Sequence, residues 1–168
     1  PLHALVNNAA ISPKTPSGGR MDSKATPIED WHEVFQVNFF APIMLARGLA
    51  DALKQGRGTI VNVTSIAGSK VHNFAGTAYA TSKAALSALT REMANDFGSM
   101  GVRVNAIAPG EIKTDMISED TEKVVLPDIP MHRLGTTKEV ADSIYFLCSN
   151  EASYVNGAEL HINGGQHV

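Results

Sequence analysis

The run TIVNVTS at residues 59–65, AYATSKAALSALTREMANDF at 78–97 and VRVNAIA at 102–108 together decide the architecture. The first run is short, apolar and rich in β-branched residues, the mark of a strand buried on both faces. The second brings Leu86, Leu89, Met93 and Phe97 round at helical spacing, so one apolar stripe runs along a long helix. Gly98 and Gly101 end it, and the third run is again a strand, closed by Pro109-Gly110. A strand, a long helix and a second strand of the same kind predict two parallel strands joined by a helical crossover.

The same rhythm extends to both sides. Residues 2–9 read as a strand. Residues 11–26, ISPKTPSGGRMDSKAT, are rich in Pro, Gly and Ser and read as a loop. Ser17-Gly18-Gly19 within it lacks the spacing and the Lys-Ser/Thr pair of a phosphate-binding loop. Thr26-Pro27-Ile28-Glu29 predicts a helix start with Thr26 as N-cap, Pro27 at the first turn and Glu29 closing a capping box. That helix is expected to run to about Lys54, before the turn Gly56-Arg57-Gly58. Residues 111–134, with Pro127 and Pro130, read as a loop with one short helix at most. Thr136 and Glu139 form a second capping box that opens a helix to about Ser149, and residues 160–162 are a last strand. The expected fold class is therefore α/β: a parallel sheet of about four strands, with three to four helices on both faces, in a single domain over residues 1–168.

Composition narrows the function classes. Net charge is −3, and the 14 Lys and Arg residues are scattered without a run. A nucleic-acid or anionic-membrane surface needs clustered basic residues, so neither partner is expected. The apolar stretch 39–49 is broken by Pro42 and Arg47 and is too short to span a bilayer. One cysteine, Cys148, allows no internal disulfide and fits a reducing, cytoplasmic compartment; in its apolar run it reads as a small buried hydrophobe. Six histidines show no metal-binding spacing, so no metal site is expected. The first residues have no basic start and lie inside an apolar segment, which reads as a fragment rather than a signal peptide.

In parallel sheets ligands bind beyond the carboxyl ends of the strands. Asn7-Asn8, Ser65 and Pro109-Gly110 all stand at those ends, which predicts one cleft. Tyr79 and Lys83 begin the following helix four residues apart, so they share a face. A neighbouring ammonium favours the phenolate, so the pKa of Tyr79 is expected to fall from about 10 toward neutrality. Such a tyrosine exchanges protons with an alcohol or carbonyl oxygen. Ser65, fourteen residues upstream, has a hydroxyl to hold that oxygen; taken alone it reads equally as a turn cap. Asn38 lies mid-helix, and Pro42 has no N–H for its carbonyl; taken alone this reads as a Pro kink with Asn38 making a structural bond, whereas beside Tyr79 and Lys83 the kink could expose both that carbonyl and the amide side chain to a water. His72 reads as a surface-loop residue, and Glu111 as facing either the cleft or water.

These motifs, in this order, resemble the short-chain dehydrogenase/reductase family over nearly the whole chain. Asn7-Asn8-Ala9-Ala10 looks like its Asn-Asn-Ala-Gly motif, with Ala10 in place of Gly. Asn38, Ser65, Tyr79 and Lys83 match its catalytic tetrad, Pro109-Gly110-Glu111-Ile112-Lys113-Thr114 its Pro-Gly-x-Ile-x-Thr segment, and Asn156-Gly157-Ala158 with Asn163-Gly164-Gly165 its C-terminal signature. The resemblance implies a Rossmann-type domain, of which this chain is the C-terminal two-thirds, and hydride transfer between NAD or NADP and a small carbonyl or alcohol. It implies Tyr79 as general acid or base, Lys83 on the nicotinamide ribose, Ser65 on the substrate oxygen and Asn38 on a relay water. Ile112 and Thr114, after the Pro109-Gly110 turn, would contact the carboxamide. Asn8, Ala9 and Ala10 would border the adenosine ribose, with Asn8 also tying the central strands together. A homo-oligomer, tetramer or dimer, is implied too, and the small-residue strip Ala80, Ala84, Ala88 suits close helix contact. No G-x-x-x-G-x-G turn occurs in the 168 residues, and the segment 8–31 is longer than usual for the family and expected to help form a substrate entrance. The missing turn favours a second reading, a non-catalytic assembly or binding module that keeps the fold.

Overall fold

The computed structural model describes residues 1–114 and 119–168. Four strands form one parallel sheet: β1 (Ala4–Asn7), β2 (Thr59–Val63), β3 (Arg103–Pro109) and β6 (Glu159–Ile162), in the order β1-β2-β3-β6. All five residues of β2 are buried, as its unbroken β-branched run requires of a central strand. Alternation sorts the side chains to two cores. Ile60 and Val104 face the long helix α4 (Thr77–Gly98), beside Met93 and Ala94. Val61, Val63 and Ile107 face the opposite way, onto Leu147 of α6 (Thr137–Cys148). The capping box at Thr136 and Glu139 is present, with the Thr136 hydroxyl accepting from the Glu139 amide.

The first predicted helix is divided. α1 (Ile28–Phe35) passes into a π-helical turn at Gln36–Phe40, then α2 (Ala41–Gly48) and α3 (Ala50–Gly56). Pro42 cannot donate in the α-helical ladder, and the wide turn before it absorbs the mismatch. The cap is also displaced. Pro27, in an extended conformation, precedes the first helical residue, while the Thr26 hydroxyl donates to the Asp22 carbonyl at 2.5 Å instead of capping. Within 111–134 a short helix, α5 (Glu119–Val125), forms as expected, and residues 115–118 lie outside the described ones. Two residue pairs not foreseen as strands, β4 (Ile112–Lys113) and β5 (Gly135–Thr136), close the base of that loop in parallel. Among the described residues the helices thus number six, because one predicted helix became three.

A polar line crosses the sheet at its centre. Asn7 Nδ2 donates to Asn62 Oδ1 at 2.8 Å, Asn62 Nδ2 to Thr90 Oγ1 at 2.9 Å, and Thr90 Oγ1 to the Leu86 carbonyl. Asn62 and Thr90 are wholly buried, so the chain of bonds sets the pairing of β1, β2 and α4 where apolar contact alone is indifferent to sliding. The residue tying the strands is therefore Asn7 and not Asn8. β1 turns Asn7 into the sheet, and Asn8 stands beyond it, exposed.

Candidate active site

β2 ends at Val63, and two residues later Ser65, in an extended backbone conformation, opens a 3₁₀ turn at Ile66–Gly68. Its Oγ accepts from the Ala67 amide at 3.1 Å, so the capping reading holds. The same hydroxyl stands near enough to the phenol of Tyr79 to pull its pKa downward. Capping and positioning are thus one arrangement: the turn aims the serine at the tyrosine. Gly68 makes this possible. A Cβ there would sit 2.9 Å from the Ala84 amide nitrogen, so only glycine lets the turn lie against α4 one residue past Lys83.

Tyr79 and Lys83 share one face of the first turns of α4, and Lys83 Nζ is 5.6 Å from the centre of the Tyr79 ring. Lys83 is 2% exposed and donates to the Val63 carbonyl at 2.6 Å. Burial brings its pKa down to about 8. The expected lowering of Tyr79 is corrected. Burial holds its pKa above the ordinary value, Ser65 pulls the other way, and the Glu111 carboxylate pushes it up further. The ammonium here serves a strand carbonyl, and in a desolvated setting neither charged form is favoured.

Asn38 is 1% exposed at the π-helical turn. Its side chain is not open to water. Oδ1 accepts from the Ile11 amide at 2.9 Å, and Nδ2 donates to the Ile11 carbonyl at 2.9 Å and to Ser82 Oγ at 3.1 Å. Of the two readings of the amide, the structural bond holds and exposure to water does not: the side chain is a clamp that imitates strand pairing with one residue of the 11–26 loop. The physical reason is satisfaction: a buried amide lacking partners is costly, and Ile11 presents both a donor and an acceptor.

That loop in turn holds the segment leading into α4. Lys14 Nζ donates to the Phe74 carbonyl, Arg20 Nε to the Ala75 carbonyl at 3.0 Å, and the Thr77 amide donates to the Met21 carbonyl at 2.9 Å. The segment expected at the entrance also straps the residues that lead into the tyrosine's helix. His72 is no plain surface residue either. Its Nε2 lies 2.5 Å from Glu111 Oε1, with both side chains largely covered. Its Nδ1 accepts from the Phe74 and Ala75 amides at 3.2 and 3.3 Å. An Nδ1 that accepts carries no proton, so Nε2–H donates to the carboxylate. Sequence reasoning had no local signal for this pair, which are 39 residues apart.

On the other side of Tyr79, Asn8, Ala9 and Ala10 are exposed at the carboxyl end of β1, with Pro109 and Gly110 part-buried at that of β3. Ile112 is part-buried in β4 and Thr114 exposed. A Cβ on Gly110 would lie 2.6 Å from Asn163 Cβ and 2.9 Å from Gln166 Oε1, so the turn is pressed on the C-terminal segment. Asn163 Nδ2 and Gln166 Oε1 beside it are buried and meet no hydrogen-bond partner among the described residues.

A family model described as "Enoyl-(Acyl carrier protein) reductase" matches residues 1–167. The chain is 64% identical over 168 residues to Protein FixR of Bradyrhizobium diazoefficiens, covering all of this chain and 60% of that protein. It is 34% identical over 173 residues to the 3-oxoacyl-[acyl-carrier-protein] reductase FabG of Vibrio harveyi, covering 99% of this chain and 67% of that one. The chain thus spans about 60% to two-thirds of the length of these relatives. An oxidoreductase (short chain dehydrogenase/reductase family) from Brucella ovis, in complex with a partially ordered NAD, matches with TM-score 0.80 and 60% identity, over 96% of this chain and 65% of that one. A gluconate 5-dehydrogenase from Burkholderia cenocepacia, in complex with NADP and tartrate, matches with TM-score 0.86 and 27% identity, over 98% and 64%.

Proposed function

The chain belongs to the short-chain dehydrogenase/reductase family, and on that premise we propose that it is the reacting portion, the C-terminal two-thirds, of an NAD(P)-dependent oxidoreductase that interconverts a carbonyl and a secondary alcohol. The observation that carries this reading is the Lys83 ammonium, 5.6 Å from the centre of the Tyr79 ring, with the Ser65 hydroxyl near the same phenol. In reduction Tyr79 gives its proton to the carbonyl oxygen while Ser65 donates to the same oxygen, so charge developing there meets two donors. Lys83 then faces the phenolate. In oxidation the roles reverse, and Tyr79 takes the alcohol proton. A bound dinucleotide supplies or accepts the hydride.

Lys83 and Tyr79 would hold the nicotinamide ribose, Ile112 and Thr114 the carboxamide after Pro109-Gly110, and Asn8, Ala9 and Ala10 the adenosine side. Asn38 takes part through its main-chain carbonyl, which lacks the usual donor because Pro42 stands four residues on. The substrate is a 3-oxoacyl thioester, a sugar or polyol, or another small ketone. A homo-oligomer, tetramer or dimer, is supported by the exposed strip at Ala84 and Ala88 and by exposed Phe40, Met44 and Leu45 on neighbouring helical turns. A cytoplasmic setting is supported by the single cysteine; among the described residues no helix is long and apolar enough to cross a membrane.

The test is Tyr79→Phe in the full-length protein. Turnover of a competent substrate is expected to fall by about 10² to 10⁴, with dinucleotide affinity kept. Unchanged turnover would refute the assignment and leave the non-catalytic module standing.

A further inference from the structure

Glu111 directly follows the Pro109-Gly110 turn. With Ile66, His72, Phe74 and Val125 it lines a small cleft, and the His72 it meets lies in the segment that leads into the tyrosine's helix. It is an unusual group to find there. A carboxylate beside a general acid opposes deprotonation of that acid, and its negative charge does reach Tyr79. The side chain is nonetheless held with care. His72 donates to Oε1, and His72 is itself fixed in one tautomer by two amides of the segment entering α4. Among the described residues no group takes the second oxygen by hydrogen bond. The other long cation of the cleft, Lys70, is turned to the Gln166 carbonyl at 3.2 Å. One oxygen is thus anchored, and the other is left with its acceptor capacity.

We propose that Glu111 is a specificity-determining residue whose second carboxylate oxygen accepts a hydrogen bond from a neutral substrate hydroxyl near the reacting carbon, which makes the substrate a polyol or its keto form. This rests on the Tyr79 reading above and narrows it. Anionic substrates meet repulsion from the carboxylate. Cations meet Lys14, whose charge lies within electrostatic reach of Glu111 and whose ammonium is held at the Phe74 carbonyl. A chain with no donor, such as an unsubstituted acyl thioester, would cover the carboxylate without replacing its water, a heavy penalty in a site built for a hydroxyl. A neutral hydroxyl satisfies all three conditions.

The measurement is kcat/KM of the full-length protein with dinucleotide on three probes: an alditol panel (erythritol, xylitol, sorbitol), cyclohexanol and 3-hydroxybutyrate. The wild type is expected to prefer an alditol to 3-hydroxybutyrate. Glu111→Gln should lose about 10- to 100-fold on the alditol, the worth of one hydrogen bond to a charged group, and change less than about threefold on cyclohexanol. Glu111→Asp keeps the charge but withdraws it by one methylene, and should show the same selective loss. An equal loss across all probes means that the pair with His72 only staples two loops, and overturns the inference. So does a wild type that prefers the carboxylate or turns over no alditol. Tyr79→Phe, run alongside, keeps the two readings apart. Its loss of cyclohexanol turnover upholds the hydride-transfer reading even if the Glu111 result fails, whereas undiminished turnover in that variant brings down the reading itself.

Discussion

Lys83 shows how far a single residue can be set against the stability of its fold. Its unfolded pKa is the ordinary 10.5 and its folded one about 8. Between those values the unfolded chain binds more protons, so stability rises as pH climbs through that window and is lowest below it. The full depression corresponds to about 3 kcal/mol of destabilisation near neutral pH. Lys83→Met removes that burden but strands the Val63 carbonyl, a loss of about 1–2 kcal/mol. The variant is therefore expected to be inactive yet more stable by about 1–2 kcal/mol near pH 7, with the gain shrinking to nothing between the two pKa values and reversing above the unfolded one. Urea melts at two pH values check this, and a less stable variant at neutral pH would contradict it. The tyrosine adds a kinetic sign. Burial favours the neutral phenol, so oxidation, which needs the base form, should keep accelerating with rising pH and not level off below the ordinary tyrosine pKa, while reduction gains nothing. A pH profile of kcat/KM in both directions tests it.

At the scale of elements, the active helix is held from outside its own sequence. The 11–26 strap grips residues 74–77, the Ser65 turn lies on the backbone of α4 at Gly68, and Asn38 anchors the strap at Ile11. Asn38→Ala would leave both polar groups of Ile11 without partners in a place water reaches poorly. We expect a stability loss of about 2–4 kcal/mol and faster amide exchange at Ile11, with turnover falling as the strap loosens. A loss under about 1 kcal/mol would show that water replaces the clamp. The capping box is a smaller, independent device: Thr136→Ala should cost about 1 kcal/mol in a thermal melt and leave activity alone.

For the whole molecule, the surface of the paired helical layer carries the next question. Met44 is 63% exposed and Phe40 48%, beside a helix whose outward residues Ala84 and Ala88 have almost no side chain to prevent close approach. Isolated exposed apolar residues are ordinary, but a contiguous set next to a smooth strip suits a second copy of the same face. Met44→Lys replaces a largely exposed side chain; if the protein assembles through this face, as proposed above, a smaller species is expected in light scattering, with the circular dichroism unchanged. An assembly of the same size would place the contact elsewhere.

The local pattern determined much of this protein. Unbroken β-branched runs marked the buried strands, the Leu86–Phe97 stripe marked the crossover helix, and the pair at 136 and 139 marked a cap, because each is a property of a few neighbouring residues. The same locality made Ser65, Tyr79 and Lys83 readable as a set, since strand end and helix start lie in one βαβ unit. What the pattern left open depended on partners distant in the chain. Which asparagine tied the strands, what Asn38 did with its amide, and which way the pKa of Tyr79 moved were decided by burial and by groups 20 to 55 residues away. A hydrogen bond between residues 72 and 111 has no periodicity and no motif. It exists only once two strands and a helix have brought the loops together, and it is there that the tertiary structure placed the charge that most sharpens the site.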